Sequence, residues 1–137
     1  MEFGLTDEQQ QLKEEVRRFA DNEVRPNARE YDVEEKFPRE IVDAAAEMGL
    51  CGVTIPMEYG GAGYDSVDSV LISEELFAAD PGIALSILAA SFGTEAIVEY
   101  GTEEQKERFL EPVARGEWIS GAAISEPDTG SDVPSVS

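Results

Sequence analysis

The side chains best suited to chemistry in this sequence lie in one polar stretch near its end, EPDTGSD at positions 126–132. Thr129, Gly130 and Ser131 can present hydroxyls and backbone N–H groups, and such groups together form a site for an anion. The same stretch is dense in turn-forming residues, so its composition also fits an ordinary turn. Both interpretations stay open on these residues alone.

The rest of the composition excludes several catalytic arrangements. The chain has no histidine, so neither a Ser-His-Asp nor a Cys-His set can be built. With one cysteine, Cys51, and no histidine, we predict no metal site. The glycine-rich EYGGAG at 58–63 does not match the GxGxxG dinucleotide loop and is typical of a tight turn. Spacing alone therefore predicts no catalytic residue in this chain.

Helices precede the polar stretch and must position it. Two capping boxes, Thr6 with Gln9 and Thr102 with Gln105, each predict a helix start. Apolar residues at helical spacing, with Gly and Pro as breakers, predict five helices within 6–26, 38–49, 66–80, 83–97 and 102–116. Residues 27–36 are polar and are interpreted as a connection. The helix over 83–97 is apolar all round, which is typical of a central or covered helix.

A change of pattern follows Gly116. The run WISGAAI at 118–124 is aromatic and β-branched and predicts one short strand. Residues 50–56, LCGVTIP, fit either a strand or an extended link. A single strand needs a partner, so we expect the sequence to stop inside a second domain. The fold prediction is all-α, with a helical domain over 1–116 and the first strand and loop of a β-domain over 117–137.

Charge restricts the partners of this protein. The net charge is −20, from 30 acidic and 10 basic residues, and the acidic residues are dispersed along the whole chain. Nucleic acid and anionic membranes would be repelled, so neither is an expected partner.

No uninterrupted apolar run reaches the length of a membrane span, and the polar N-terminus does not resemble a secretory signal. We expect a cytoplasmic protein. Dispersed acid suits a very salty cytoplasm, although an ordinary acidic protein is the alternative.

Several motifs together resemble the acyl-CoA dehydrogenase family. The opening LTDEQQQLKEEVRRFADNEVRP, the turn PMEYGGAG at 56–63, YGTEEQK at 100–106, GEW at 116–118 and SEPDTGSD at 125–132 follow the family's order. The resemblance implies an N-terminal helical domain followed by a middle β-domain. It also implies FAD-dependent α,β-dehydrogenation of an acyl-CoA in fatty-acid β-oxidation. Electrons would pass to an electron-transferring flavoprotein, and the subunits of such enzymes usually form homotetramers.

The resemblance assigns the cofactor site to the stretch from Ala122 to Ser131. Ile124 and Ser125 would lie beside the flavin ring, although Ser125 stands where the motif usually has threonine. Gly130 would allow close backbone approach, and Ser131 would touch both the flavin and the thioester. The family's catalytic glutamate would lie beyond residue 137. We therefore expect no catalytic residue here and no activity from this chain alone.

The apolar helix has two interpretations. One face of this helix carries Leu85, Leu88, Ala89 and Phe92. This face either belongs to the hydrophobic core or, as the resemblance implies, lines the acyl tunnel. In the second case the bulky Phe92 would shorten the tunnel. The function also has alternatives. They are an acyl-CoA oxidase or flavin monooxygenase relative, and a stand-alone helical module without catalysis.

Overall fold

The fold is built almost entirely of helices. A computed structural model describes residues 4–135. The described residues contain seven α-helices: α1 (Asp7–Phe19), α2 (Ala28–Glu34), α3 (Arg39–Glu47), α4 (Ser66–Ala79), α5 (Pro81–Leu88), α6 (Thr94–Tyr100) and α7 (Glu103–Ala114). A π-helical turn, Ala20–Val24, extends α1, and short 3₁₀ turns lie at Met57–Tyr59, Ala89–Ser91 and Val133–Ser135. The prediction of an all-α domain is confirmed.

Side-chain caps fix where the main helices begin. Both predicted capping boxes form, with Gln9 N donating to Thr6 Oγ1 at 3.1 Å and Gln105 N donating to Thr102 Oγ1 at 3.3 Å. Asp80 caps α5, because its carboxylate accepts from Ile83 N at 2.8 Å. These contacts satisfy backbone N–H groups that have no partner inside the helix.

The main core lies where α1, α3, α4 and α5 meet. Each of these helices buries its inward side chains in one cluster, which includes Val16, Val42, Ile72, Leu76 and Ile87. The pair Arg17 and Glu75 joins α1 to α4 at the edge of this core. Burial of apolar surface is the main stabilising contribution to such a domain.

A smaller cluster joins the glycine-rich turn to α7. Ile55 and Tyr59 pack against Leu110, Val113 and Ala114. The tight turn predicted at 58–63 is confirmed. A Cβ built on Gly61 would lie 2.0 Å from the Ile55 carbonyl oxygen, so only glycine fits there. The turn places Ile55 and Tyr59 against α7, and α7 leads directly into the polar C-terminal segment.

The helix prediction is wrong in two places: one helix was missed and another is interrupted. Residues 27–36 were interpreted as a connection but contain α2, in which only Ala28 and Tyr31 pack on the core, so the apolar period is too weak to see. The helix predicted over 83–97 is interrupted. It ends at Leu88, passes through a 3₁₀ turn, and restarts at Thr94 after Gly93, whose φ of +90° is incompatible with a helix.

The strand predicted at 118–124 does not form in the described chain. Residues 118–124 do not extend α7, and residues 4–135 contain no strand that could pair with them. An isolated strand is not stable because its hydrogen-bonding groups need a neighbour. Residues 50–56 form turns and bends rather than a strand, and the carbonyls of Gly52, Val53 and Ile55 accept hydrogen bonds from the backbone at 62–64. The division into 1–116 and 117–137 stays a prediction.

The helical run from Pro81 to Tyr100 is twenty residues long and, by length and composition alone, apolar enough to cross a membrane. Core helices of proteins outside membranes meet the same criterion. Here Ile83, Ala84 and Ile87 of this run are buried in the main core. The absence of membrane insertion stays a prediction.

Candidate functional site

Two backbone hydrogen bonds hold the start of the polar C-terminal segment on the helical domain. Trp118 N donates to Pro112 O at 3.1 Å, inside the last turns of α7. Ser120 N donates to Ala90 O at 2.8 Å, in the turn that follows α5. The segment therefore runs from the end of α7 across to the end of α5.

The next contact brings two predicted site regions together. A Cβ placed on Gly93 would lie 3.1 Å from Ala122 Cβ, so the backbone at 121–122 rests directly on Gly93. Gly93 follows Phe92, the last residue of the predicted acyl face, and Ala122 is the first residue of the predicted flavin stretch. The structure thus places the beginning of one region against the end of the other.

The predicted acyl face is not a single helical stripe. Leu85 is 59 % exposed, whereas Leu88 is partly buried and packs against the main core. Ala89 is partly buried in the 3₁₀ turn. Phe92 lies outside both helices, with an extended backbone and 51 % of its surface exposed. The prediction that all four residues share one helical face is wrong because the helix ends at Leu88. Leu85 and Phe92 remain open to a ligand.

The polar loop contains a closed turn. Glu126 N donates to Thr129 O at 2.9 Å, and Thr129 N donates to Glu126 O at 3.1 Å. The Thr129 N–H is therefore already used and does not face an anion, which corrects that part of the anion-site interpretation. Gly130 and Ser131 follow the turn and are exposed. A Cβ on Gly130 would meet open space, and its φ is not in the left-handed region.

The residues present fit a flavin ring better than the phosphates of FAD. Ile124 is 48 % exposed and offers an apolar surface, Ser125 follows it directly in the sequence, and both Ser125 and Ser131 are exposed. Residues 117–137 carry four carboxylates and no lysine or arginine. This segment can therefore contact an uncharged ring and supply hydroxyls, but positive charge for a pyrophosphate has to come from other residues.

Within residues 4–135, the side chains whose pKa is shifted lie in the helical domain and not in this segment. Arg17 donates two hydrogen bonds to Glu75, at 2.8 Å each, and these hold the pKa of Glu75 below its usual value. Tyr59 donates to Glu103 at 2.7 Å, which raises the pKa of Tyr59 and lowers that of Glu103. Burial raises the pKa of Cys51 to about 11. These groups link or fill the helical domain and suggest no acid–base role.

Sequence reasoning missed the contacts that position the segment. Ala90, Gly93 and Ser120 were not singled out, although the glycine in SFGTE at 91–95 interrupts an apolar run and signals a break. The backbone bond from Ser120 to Ala90 has no sequence signal, because any residue other than proline can donate it.

Known proteins resemble this chain along its whole length. The family profile "Acyl-CoA dehydrogenase, N-terminal domain" matches residues 6–117. The short-chain specific acyl-CoA dehydrogenase of Clostridium acetobutylicum is 42% identical over 134 residues, which are 96% of this chain and 35% of that protein.

Solved structures share the fold. A chain from the structure of the electron transferring flavoprotein of Acidaminococcus fermentans superposes with a TM-score of 0.88 at 35% identity, covering 98% of this chain and 36% of its own. A Bacillus anthracis acyl-CoA dehydrogenase complexed with FAD gives 0.84 at 34% identity, covering 96% and 23%. The chain thus spans about a third or less of the relatives that it matches.

Proposed function

The chain belongs to the acyl-CoA dehydrogenase family, and from that premise we propose that it is the N-terminal part of an FAD-dependent enzyme that dehydrogenates an acyl-CoA thioester between Cα and Cβ. The proposal concerns a longer protein, because the chain spans about a third of the relatives it matches. One observation carries it: Ala122 rests on Gly93, so the proposed flavin stretch starts beside Phe92 of the proposed acyl surface.

Each residue of the proposed site has a role suited to its surroundings. Ile124 packs against the flavin ring, and the Ser125 hydroxyl contacts it from the adjacent position. Gly130 lets the ligand approach the backbone, since the chain itself does not fill the space where a Cβ would lie. Ser131 donates a hydroxyl hydrogen bond where flavin and thioester meet. The bound FAD supplies the hydride acceptor.

Leu85 and Phe92 line the acyl chain in this proposal. Both are exposed in the described chain, at 59 % and 51 %, and a buried acyl chain is favoured by apolar walls. Leu88 and Ala89 are partly buried and lie beneath that surface in this proposal. The base that removes the α-proton lies outside these 137 residues, so the chain alone is inactive.

The proposed partners follow from the same family membership. They are an acyl-CoA substrate, an electron-transferring flavoprotein as electron acceptor, and further copies of the full-length subunit in a homotetramer. The alternatives are an oxidase or a flavin monooxygenase of the same fold, and a helical module without catalysis. They differ in what happens to the reduced flavin and in whether any flavin binds.

Anaerobic titration of the full-length flavoprotein with acyl-CoAs tests the proposal. We expect loss of the oxidised flavin absorbance, and its recovery on adding an electron-transferring flavoprotein. Rapid recovery in air with peroxide release would identify an oxidase instead. A full-length protein without flavin, or a flavin that no acyl-CoA reduces, would contradict the proposal.

A further inference from the structure

We propose that Gly93 is a positioning residue, which together with the Ala90 carbonyl forms a dock for the segment 120–122. The dock fixes where this segment leaves the helical domain. Its elements are the Ser120-to-Ala90 hydrogen bond of 2.8 Å and the contact of Gly93 with Gly121 and Ala122. None of these residues carries a charge or performs chemistry.

The turn that forms the dock is held by its own hydrogen bonds. Phe92 N donates to Ala89 O at 3.0 Å, and the buried Thr94 hydroxyl donates to Ser91 O at 2.8 Å. Glu95 accepts from Gly93 N at 3.0 Å. Ala90 is almost fully buried in the main core, which anchors the turn. These contacts hold the turn independently of the segment that packs on it.

Glycine is needed at position 93 for two separate reasons. Its φ of +90° is a conformation that residues with a Cβ adopt only with strain. A Cβ would also lie 3.1 Å from Ala122 Cβ and 3.5 Å from both Ala122 N and Gly121 O. The first distance is tighter than ordinary van der Waals contact, so the segment has to shift outward when a side chain is added.

The consequence for the site rests on the proposed function. The proposed flavin contacts, from Ala122 to Ser131, follow the dock directly in sequence. A displacement at Ala122 therefore moves the start of the surface that would face the ring. The contact requires a shift of a few tenths of an ångström, and positioning on this scale matters because a misplacement of about 1 Å can cost on the order of 10²-fold in rate.

Amide hydrogen exchange of the 137-residue chain tests the dock without any ligand. In Gly93→Ala we expect the Ser120 amide to lose about tenfold of its protection, which corresponds to about 1.4 kcal/mol. The Trp118 amide is the internal reference, because it bonds to Pro112 outside the dock. Gly121→Ala is the matched control: a Cβ there meets nothing within 4 Å, so Ser120 should keep its protection.

A second substitution separates the contact from the strain. Ala122→Gly, added to Gly93→Ala, removes the Cβ–Cβ contact and should restore part of the Ser120 protection. Unchanged Ser120 protection in Gly93→Ala would overturn the proposal. A loss shared equally by the α6 amides and not restored by Ala122→Gly would overturn it too, because it would show general loosening.

The flavin site is tested separately in the full-length protein. Gly93→Ala should lower its flavin content, whereas Gly121→Ala should not. If exchange behaves as expected while flavin content stays normal, the dock stands and the proposed flavin stretch is wrong.

Discussion

Replacing Glu75 by glutamine should destabilise the domain in a pH-dependent way. Glu75 is 8 % exposed and accepts two hydrogen bonds from Arg17, while Lys13 Nζ lies 3.5 Å from Glu75 Oε1. Hydrogen bonds to charged groups contribute about 1.5–3 kcal/mol. The Arg17 side chain is 55 % exposed, so solvent screens the pair, and glutamine still accepts one bond. We therefore expect Glu75→Gln to cost about 1–2 kcal/mol at pH 7.

The sign of the pH dependence follows from the lowered pKa of Glu75. A carboxylate with a lower pKa in the folded state stabilises fully above its unfolded pKa of about 4.3, and this stabilisation is lost as the pH falls through the folded pKa. Glutamine does not titrate. The difference in unfolding free energy between wild type and Glu75→Gln should therefore shrink below about pH 4.

Denaturant and thermal unfolding between pH 3 and 8 measure this difference. At neutral pH the variant should melt about 3–10 °C lower, since about 1 kcal/mol corresponds to about 3–5 °C at this chain length. Glu74→Gln is the matched control, because Glu74 binds Lys13 at 3.0 Å with 58 % of its side chain exposed and should cost less than about 0.5 kcal/mol. An equal Glu75→Gln penalty at pH 3 and pH 7 would refute the reasoning.

Four further predictions test other parts of the molecule. In the proposed full-length enzyme Ser131→Ala should lower kcat/KM roughly 2- to 12-fold, the equivalent of about 0.5–1.5 kcal/mol, and unchanged steady-state kinetics would leave this loop an ordinary connection. The 137-residue chain should not co-purify with stoichiometric flavin, because it supplies only one wall of the pocket; a yellow, stoichiometric complex would contradict this. The melting temperature should rise with KCl if the net charge of −20 is an adaptation to salt, as we propose; greatest stability at low salt would show an ordinary acidic protein. Glu35→Gly should stabilise by about 0.5–1 kcal/mol in denaturant unfolding, because Glu35 ends α2 with a φ of 51°; a lower midpoint would show that its side chain matters more.

Helix starts were predictable from sequence because their determinants are local. Thr6 and Thr102 form their capping boxes with a glutamine three residues later, within the span that a sequence pattern can read. α2 was missed because its contacts to the core are few and most of its surface is polar. The interruption at Gly93 was missed because the prediction over 83–97 followed the spacing of apolar residues and gave no weight to the glycine, which marks the break.

The candidate site was only partly predictable, for a related reason. The motif around Gly130 and Ser131 is visible in the sequence, and family resemblance gives it a role that stays a prediction. The dock between Ser120 and Ala90 joins residues thirty positions apart through backbone atoms. Such a contact depends on the packing of α5 and α7 and leaves no mark in side-chain type. The strand at 118–124 was over-predicted, because β-branched composition cannot provide the missing neighbour.

The buried cysteine gives this protein a built-in reporter of its own opening. Cys51 is 0 % exposed, and its pKa of about 11 keeps the thiol protonated at neutral pH. A thiol reagent attacks the thiolate, so modification has to wait until the core around α3 separates and exposes the sulfur. In excess reagent, the rate at which Cys51 is labelled therefore measures how often the core opens, and it does so without denaturant.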